Sequence, residues 1–364
     1  MIRSRQGVVT KILSGRDNLT VIEVAIAGED DNKAYNYDLL TGPANPGDSV
    51  VLNTTAVAGK LGTGGAHFVM ANISRPNRDA AEAGHIMKMR YSPAQVKVLA
   101  AEEPASPWSE QINGQNSLGG TPVIIGELHS MLAPAAAGAK AGSAGKARVV
   151  YMMTDGAALP LALSDLAHNL KKCGLVDATI TCGHAFGGDW EAVNIYTGLL
   201  TALIAARADI IIVAMGPGIV GTGSRFGFTG VEQGEIINAV NILEGRPVAI
   251  PRLSFADRRE RHHGLSHHTA TALGKICLTS CAVTFPELAN PTWTALLREQ
   301  IAGAWPAEKH AVVTENGQPA LDELERRGIR ITSMGRTPEQ DPAFFLAAGA
   351  AGIHAAKLMQ PAID

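Results

Sequence analysis

The segment Met215-Gly-Pro-Gly-Ile-Val-Gly-Thr-Gly-Ser-Arg-Phe-Gly-Phe-Thr-Gly230 directly follows the apolar run Ile210-Ile-Ile-Val-Ala214. A helix-like pattern begins near Val231, so a buried strand passes through a glycine-rich loop into a helix. Glycines let backbone N–H groups turn toward a ligand, and a helix N-terminus adds a partial positive charge. This segment, residues 215–230, is called the glycine loop below. We predict that it binds an anion.

The glycine loop is long for a connection inside a compact domain, and loops of this length are more often functional than idle. The alternative is a flexible surface excursion with no ligand. The residues of the loop that we predict to contact the anion are Gly218, Gly221, Thr222, Gly223, Ser224 and Arg225.

Length and composition exclude several classes of protein. The chain has 364 residues, which suggests two domains, and its net charge of −3 argues against nucleic acid as a partner. The N-terminus lacks an apolar signal core, and no segment has the pattern of a membrane span. The four cysteines form no Cys-x-x-Cys pair, so we expect reduced thiols in a cytoplasmic protein.

The pattern of the chain changes after about residue 75. Before this point, five short strand-like runs are separated by Gly, Asp, Asn and Pro, which is typical of a small β-barrel or sandwich. We predict a small β domain over residues 1–75, a polar linker over residues 76–84 and a large Rossmann-like α/β domain over residues 85–364.

In the large domain, apolar strand-like runs alternate with helical segments. This alternation predicts an α/β fold with a doubly wound, mostly parallel sheet that is covered on both faces. The predicted strands are 96–102, 121–128, 148–154, 178–182, 209–215, 247–253, 276–283, 309–314 and 329–333.

Polar residues follow these strands at their carboxyl ends, where ligands bind in open parallel sheets. Asp155 and His184 each come at or just after a strand, and we predict that they transfer protons together with His263 or, as alternatives, with His262 or His267. Arg252 is predicted to hold the anion with the glycine loop. Gly187 and Gly188 precede a predicted helix and form a second candidate anion site.

Four motifs together resemble one uncharacterised bacterial protein family, catalogued only as a domain of unknown function. They are residues 153–160 (MTDGAALP), 183–189 (GHAFGGD), 215–223 (MGPGIVGTG) and 256–269 (ADRRERHHGLSHHT). The resemblance spans most of the chain, to about residue 290. It implies kinship, and supplies neither an activity nor catalytic residues.

The histidines of residues 262–268 allow two kinds of site. On a helix, His263 and His267 would lie four apart on one face, and nearby carboxylates could complete a set of metal ligands. However, Gly264 interrupts such a helix, and four arginines crowd residues 252–261 and would repel a cation. We therefore predict no metal, and expect His267 to assist anion binding.

These observations predict an enzyme that acts on a small phosphate- or carboxylate-bearing metabolite. The alternatives are a non-catalytic nucleotide or metabolite sensor, and a metal-dependent hydrolase that uses the histidines and carboxylates as ligands. The expected partner is a small anionic metabolite or a nucleotide, with no nucleic acid and no membrane. The sequence assigns no cofactor and leaves a homodimer open.

Overall fold

The structure is a computed structural model that describes residues 1–29, 33–62, 64–80 and 83–359. The chain forms two compact units, Met1–Val98 and Leu99–Asp364. The described residues of the predicted linker, 76–80, 83 and 84, fall within the first unit; residues 81 and 82 lie outside the described residues.

The first unit is a closed five-stranded barrel with the order β1-β2-β3-β5-β4. All neighbouring strands run antiparallel except β3 and β5, which are parallel. Alternate aliphatic side chains such as Ile22 and Val24 are buried inside it. The predicted β-barrel is confirmed. Its elements are β1 (Ser4–Arg16), β2 (Leu19–Ala25), β3 (Lys33–Tyr37), α1 (Asp38–Thr41), β4 (Ser49–Asn53), α2 (Thr55–Ala58) and β5 (His67–Asn72).

Two short strands, β6 (Ile86–Lys88) and β7 (Val96–Val98), form an antiparallel pair in the same unit. The prediction that residues 96–102 form a strand of the large sheet is therefore wrong. The run Val96-Lys-Val98 is short and only half-buried, whereas a strand of a sheet covered on both faces is apolar throughout.

The second unit is built on an eight-stranded sheet with the order β11-β10-β9-β12-β8-β13-β16-β17. All of its neighbouring strands pair in parallel. The predicted parallel sheet is confirmed, although residues 329–333 are not a strand in it. The strands are β8 (Pro122–Ile125), β9 (Val149–Thr154), β10 (Ala178–Thr181), β11 (Trp190–Glu191), β12 (Ile210–Met215), β13 (Arg246–Ala249), β16 (Ala282–Pro286) and β17 (Ala311–Glu315), with a separate pair β14 (Leu253–Ser254) and β15 (Gly264–Leu265).

Helices cover both faces of the sheet because its central strands are apolar on both sides. Ile211 and Val213 of β12 belong to one core cluster, and Ile210 and Ile212 to the other. Among the described residues, no helix is both long and apolar enough to cross a membrane. The helices are α3 (Ser109–Asn113), α4 (Leu132–Gly142), α5 (Asp165–Lys172), α6 (Ile195–Ile204), α7 (Glu232–Ile242), α8 (His267–Thr271), α9 (Pro291–Ala304), α10 (Gln318–Arg326) and α11 (Pro342–Leu358).

The chain leaves the neighbouring strands β8 and β12 toward opposite faces. After β8 it enters α4, whose apolar residues lie in one core cluster, and after β12 it enters α7, whose apolar residues lie in the other. A crevice opens at such a switch point, beyond the carboxyl ends of the strands. The glycine loop begins there.

Helices α4 and α11 approach closely because glycines face each other across their contact. A Cβ atom at Gly352 of α11 would overlap the carbonyl oxygen of Ala135 and lie 2.5 Å from the backbone nitrogen of Ala139, both in α4. Backbone atoms in a helix cannot move aside as a side chain can, so the position requires glycine.

Replacing Gly352 by Ala is expected to lower the free energy of unfolding by roughly 1–3 kcal/mol, because it overpacks the α4–α11 contact. Gly303 in α9 is the control, because no atom lies within 4 Å of a Cβ placed there. Gly303→Ala should leave stability unchanged or raise it by up to about 1 kcal/mol through helix propensity. Urea denaturation of both variants measures the difference, and equal effects would contradict the close contact.

Candidate functional site

A buried ion pair lies at the carboxyl ends of β8 and β13. Glu127 follows β8, is fully buried, and accepts a hydrogen bond from Nη1 of Arg252 through Oε1 at 3.1 Å. The same Oε1 atom lies 2.6 Å from Nδ1 of His268. Arg252 itself is only 5% exposed. This pair therefore joins two strand ends to the histidines of α8.

The chain between Arg252 and α8 is folded back by two short strands. β14 and β15 pair antiparallel, with Leu253 opposite Leu265. The amide of Arg252 donates to Oγ1 of Thr269 at 2.9 Å, which fixes the start of the segment against α8. Ser266 then caps α8 by accepting from the amide of His268. The start of α8 therefore lies beside Arg252, where the segment began.

Three histidines meet at this point. The ring of His268 lies 5.0 Å from that of His262 and 4.5 Å from that of His267, measured between centroids. Each ring offers one nitrogen, and these three nitrogens all lie within 4.8 Å of one another. We call His262, His267 and His268 the histidine cluster. Ligand atoms at such separations can share one metal ion.

Hydrogen bonds orient two rings of the histidine cluster. Nδ1 of His262 lies 2.8 Å from Oγ of Ser266, and Nδ1 of His268 lies 2.6 Å from Glu127. Each contact uses one ring nitrogen and leaves Nε2 for another ligand. A carboxylate or hydroxyl behind a histidine in this way is typical of metal sites.

Two buried polar atoms here lack a hydrogen-bond partner within the described part of the chain. They are Nε2 of His267 and Oε2 of Glu127. Buried polar atoms are almost always paired, so two unpaired atoms in one cluster need an explanation, such as an ion, a water molecule or a ligand.

Burial favours the neutral form of the histidines. It lowers the pKa of His262 to about 3, with further contributions from the positive charges of Arg252 and Arg259. Burial also lowers the pKa of His267, followed by the effect of His268. Both rings are therefore neutral near pH 7, which is the form that coordinates metals. The prediction that His267 assists anion binding as a cation is not supported by this environment.

The glycine loop covers the histidine cluster from one side. Phe228 stacks on the ring of His268 with 3.8 Å between centroids and an angle of 4° between planes. A Cβ at Gly221 would lie 3.8 Å from Nε2 of His268, so the loop backbone passes close to that nitrogen. The glycine loop and the histidine cluster therefore belong to one site.

The tip of the glycine loop is a small hairpin rather than an open cradle. The amide of Thr222 donates to the carbonyl of Gly227 at 2.8 Å, and the hydroxyls of Thr222 and Ser224 are 3.0 Å apart. The amide of Gly227 donates to Oγ of Ser224 at 3.0 Å. The two hydroxyls that we predicted to contact an anion are thus engaged within the hairpin.

The arginines of this region differ in what they contact. Arg252 is buried against Glu127, and Arg259 forms an ion pair with Asp257 at 2.7 Å. The guanidinium of Arg261 lies 3.6 Å from a Cβ position at Gly223, and among the described residues no hydrogen bond or ion pair engages it. Arg225 at the hairpin tip is exposed. Arg261 is therefore the arginine best placed to meet an anion beside the histidine cluster.

Asp155 and His184 are in contact, and Asp155 lines a cavity apart from the histidine cluster. The amide of His184 donates to Oδ2 of Asp155 at 2.9 Å, and Asp155 lines a cavity of about 370 Å³. The cavity also contains Glu232, whose pKa is raised to about 7, mainly by burial and in part by the charge of Asp155. No residue of the histidine cluster lines this cavity.

Two other predicted site residues, His263 and Gly218, also lie apart from the histidine cluster. His263 is exposed, and its ring packs edge-on against Phe255 at 5.6 Å. Gly218 lines a further cavity of about 390 Å³ together with His129 and Ser130.

The predicted anion site at Gly187 and Gly188 lacks the helix it requires. These glycines lead into the short strand β11, and α6 begins only at Ile195 with Asn194 as its cap. Their amides donate to the side chains of Glu191 and Thr181 and are thus already paired.

Sequence reasoning missed Glu127, Phe228 and His268 as functional candidates. The predicted strand of residues 121–128 includes Glu127, but β8 ends at Ile125. A charged residue at the end of an otherwise apolar run was the available signal. No signal in the sequence indicates which of the four neighbouring histidines come together. Their positions depend on the reversal of the chain at Gly264, where φ is +72°.

Replacing Arg252 by Met is expected to lower the free energy of unfolding by about 3–5 kcal/mol, because it leaves the carboxylate of Glu127 buried without its cation. The exposed Arg225 provides the control, and Arg225→Ala should change stability by less than about 0.5 kcal/mol. Urea denaturation measures both. Similar values for the two variants would show that the buried pair contributes little.

A comparison of the chain with known protein families agrees with the family resemblance that the four motifs indicate. The family model described as "Protein of unknown function (DUF3866)" matches residues 33–352. No curated protein and no solved structure matches the chain. Since the match extends from the third barrel strand into the last helix, the protein belongs to this family of unknown function.

Proposed function

We propose that this protein is a metal-dependent hydrolase of a small phosphate- or carboxylate-bearing metabolite. A divalent transition-metal ion would be held by His262, His267 and His268. The observation that carries the proposal is the convergence of their three ring nitrogens within 4.8 Å of one another.

The chemistry of the three side chains fits a catalytic metal better than a structural one. Structural zinc sites use four protein ligands, whereas catalytic sites use three and leave a position open for water or substrate. Glu127 behind His268 and Ser266 behind His262 would fix the rings with Nε2 toward the ion. When bound, such an ion polarises a substrate oxygen and lowers the pKa of a water molecule.

Two ion pairs of the site neutralise arginines that would otherwise repel a metal cation. The sequence suggested that several arginines would repel it, but Arg252 is paired with Glu127 and Arg259 with Asp257. The buried charges beside the cluster therefore cancel. A divalent ion would meet the neutral rings of His262 and His267 and a neutralised surrounding.

Arg261 and the hairpin tip of the glycine loop supply the contact for an anionic substrate. The guanidinium of Arg261 lies beside Gly223, and its positive charge is close enough to His267 to lower the pKa of that ring. A phosphate or carboxylate bound there would form charge-assisted hydrogen bonds at the edge of the histidine cluster. Phe228, stacked on His268, would keep water from that face of the cluster.

The chain is expected to bind about one zinc, cobalt or manganese ion, and His268→Ala should abolish stoichiometric binding because it removes a ligand. His263→Ala is the matched control, since His263 is an exposed neighbour whose ring points elsewhere. Elemental analysis after loading and gel filtration measures the ion content. Equal metal content in the His263 and His268 variants, or no metal in the parent chain, would refute the site.

In the metal-loaded protein, Arg261→Ala is expected to raise the KM for an anionic ester roughly 10- to 100-fold, the value of a lost charged hydrogen bond. Its metal content should not change. Arg258→Ala is the control, because Arg258 is an exposed arginine of the same segment. Steady-state hydrolysis of phosphate monoesters and carboxylate esters provides the test. Metal binding with no turnover of either class would instead favour a sensor.

A further inference from the structure

A second cavity lies at the switch point between β8 and β12, where ligands bind in open parallel sheets. Its volume is about 390 Å³, which is within the range of small-molecule sites. Four segments of the second unit line it: the turn after β8, helix α5, the start of the glycine loop and the chain after α10. We call it the switch-point cavity, and its lining residues are 128–130, 165, 166, 169, 217–219 and 330–334.

Two consecutive residues after β8 hold the walls of the switch-point cavity in place. Oγ of Ser130 lies 2.9 Å from Oγ of Ser333, in the chain after α10. Nε2 of His129 lies 2.6 Å from Oγ of Ser164, the residue that caps α5. Nδ1 of His129 lies 3.2 Å from the carbonyl oxygen of Met215, where the glycine loop begins. The three other walls are therefore fixed relative to the end of β8.

His129 is an uncharged part of this cavity. The carbonyl oxygen of Met215 can only accept, so we assign the ring proton to Nδ1, and Nε2 then accepts from the hydroxyl of Ser164. Burial lowers the pKa of His129 to about 4, which keeps the ring neutral near pH 7. Both ring nitrogens are engaged, so His129 positions the walls and brings no charge to a ligand.

The chain after α10 supplies groups that can bind a carboxylate. Arg330 lines the cavity, and within the described part of the chain no hydrogen bond or ion pair engages it. The pair of Ser130 and Ser333 has two hydroxyl protons, of which only one can lie between the two oxygens. The other proton is left for a third group. An arginine and a hydroxyl donor in one cavity are suited to an anionic oxygen acceptor.

Helix α5 supplies groups that can bind an ammonium group. Asp165 and Asn169 are one helical turn apart, and both line the cavity. A carboxylate and a carboxamide oxygen both accept hydrogen bonds from such a donor. The lining also includes Leu166 of α5, Ile219 of the glycine loop and Ile331 after α10. The cavity therefore offers one charge of each sign and an apolar surface to which three segments contribute.

We propose that the switch-point cavity binds a free α-amino acid with an apolar side chain. Arg330 and the pair of Ser130 and Ser333 bind its carboxylate, Asp165 and Asn169 bind its ammonium group, and the apolar lining contacts its side chain. A zwitterion fits because a ligand with only one charge would leave either Arg330 or Asp165 without a counterpart. No residue of the histidine cluster lines this cavity, so the proposal does not depend on the proposed hydrolase activity.

Isothermal titration calorimetry of the full chain after treatment with EDTA tests the proposal independently of the metal site. L-Leucine and L-phenylalanine are the probes, and at least one of them is expected to bind. Their analogues without the amino group, isocaproate and hydrocinnamate, and without the carboxylate, isoamylamine and phenethylamine, should bind roughly 10-fold or more weakly, because each loses hydrogen bonds to a charged group. Failure of both amino acids to bind, or equal binding of either kind of analogue, would refute the proposal.

Two variants test the position of the bound amino acid. Arg330→Gln and Asp165→Asn are each expected to raise its Kd roughly 10- to 100-fold, because each removes one charged partner. Arg298→Gln and Asp322→Asn are the matched controls, at exposed positions of α9 and α10, and should bind like the parent chain. If Arg330→Gln bound the amino acid as tightly as Arg298→Gln, the ligand would lie elsewhere and the assignment would be wrong.

Discussion

The site depends on one buried ion pair, between Glu127 after β8 and Arg252 after β13. Two charges removed from water are stable only when each has its partner, so neither strand end can move without exposing or unpairing a charge. The second contact of Glu127, to Nδ1 of His268, transfers this constraint to α8. The position of His268 is thus set by the ends of two strands of the sheet, through Glu127 and Arg252.

Packing explains one glycine of the loop. A Cβ at Gly230 would overlap Cγ of Glu127, whereas one at Gly221 would make only ordinary contact with the ring of His268, 3.7 Å from Cε1. A larger residue at Gly230 would push the loop away from the buried carboxylate, and Phe228 would lose its stack on His268. The physical reason for glycine at position 230 is close approach to the ion pair, which differs from the backbone contact to an anion that the sequence predicts.

Local patterns in the sequence predicted the architecture, and contacts between distant residues decided the site. Apolar runs such as Ile210–Met215 identify central parallel strands, and the short runs before residue 75 identify the barrel. The partner of Arg252 lies 125 residues earlier in the chain, and no local pattern indicates it. For the same reason, the sequence does not show that Arg252, one of the two arginines predicted to bind the anion, is neutralised by Glu127.

The proposed metal ion and the proposed anionic substrate would contact different groups of the same site. The buried pair and the neutral rings of His262 and His267 make the centre of the site suitable for a cation, whereas Arg261 at its edge remains available to an anion. A hydrolase needs both, because the ion must polarise the reacting group while a fixed cation orients the charged remainder of the substrate. The arginine-rich composition that argues against a metal in the sequence is therefore consistent with one, because Arg252 and Arg259 are paired with carboxylates and Arg261 lies at the edge of the site.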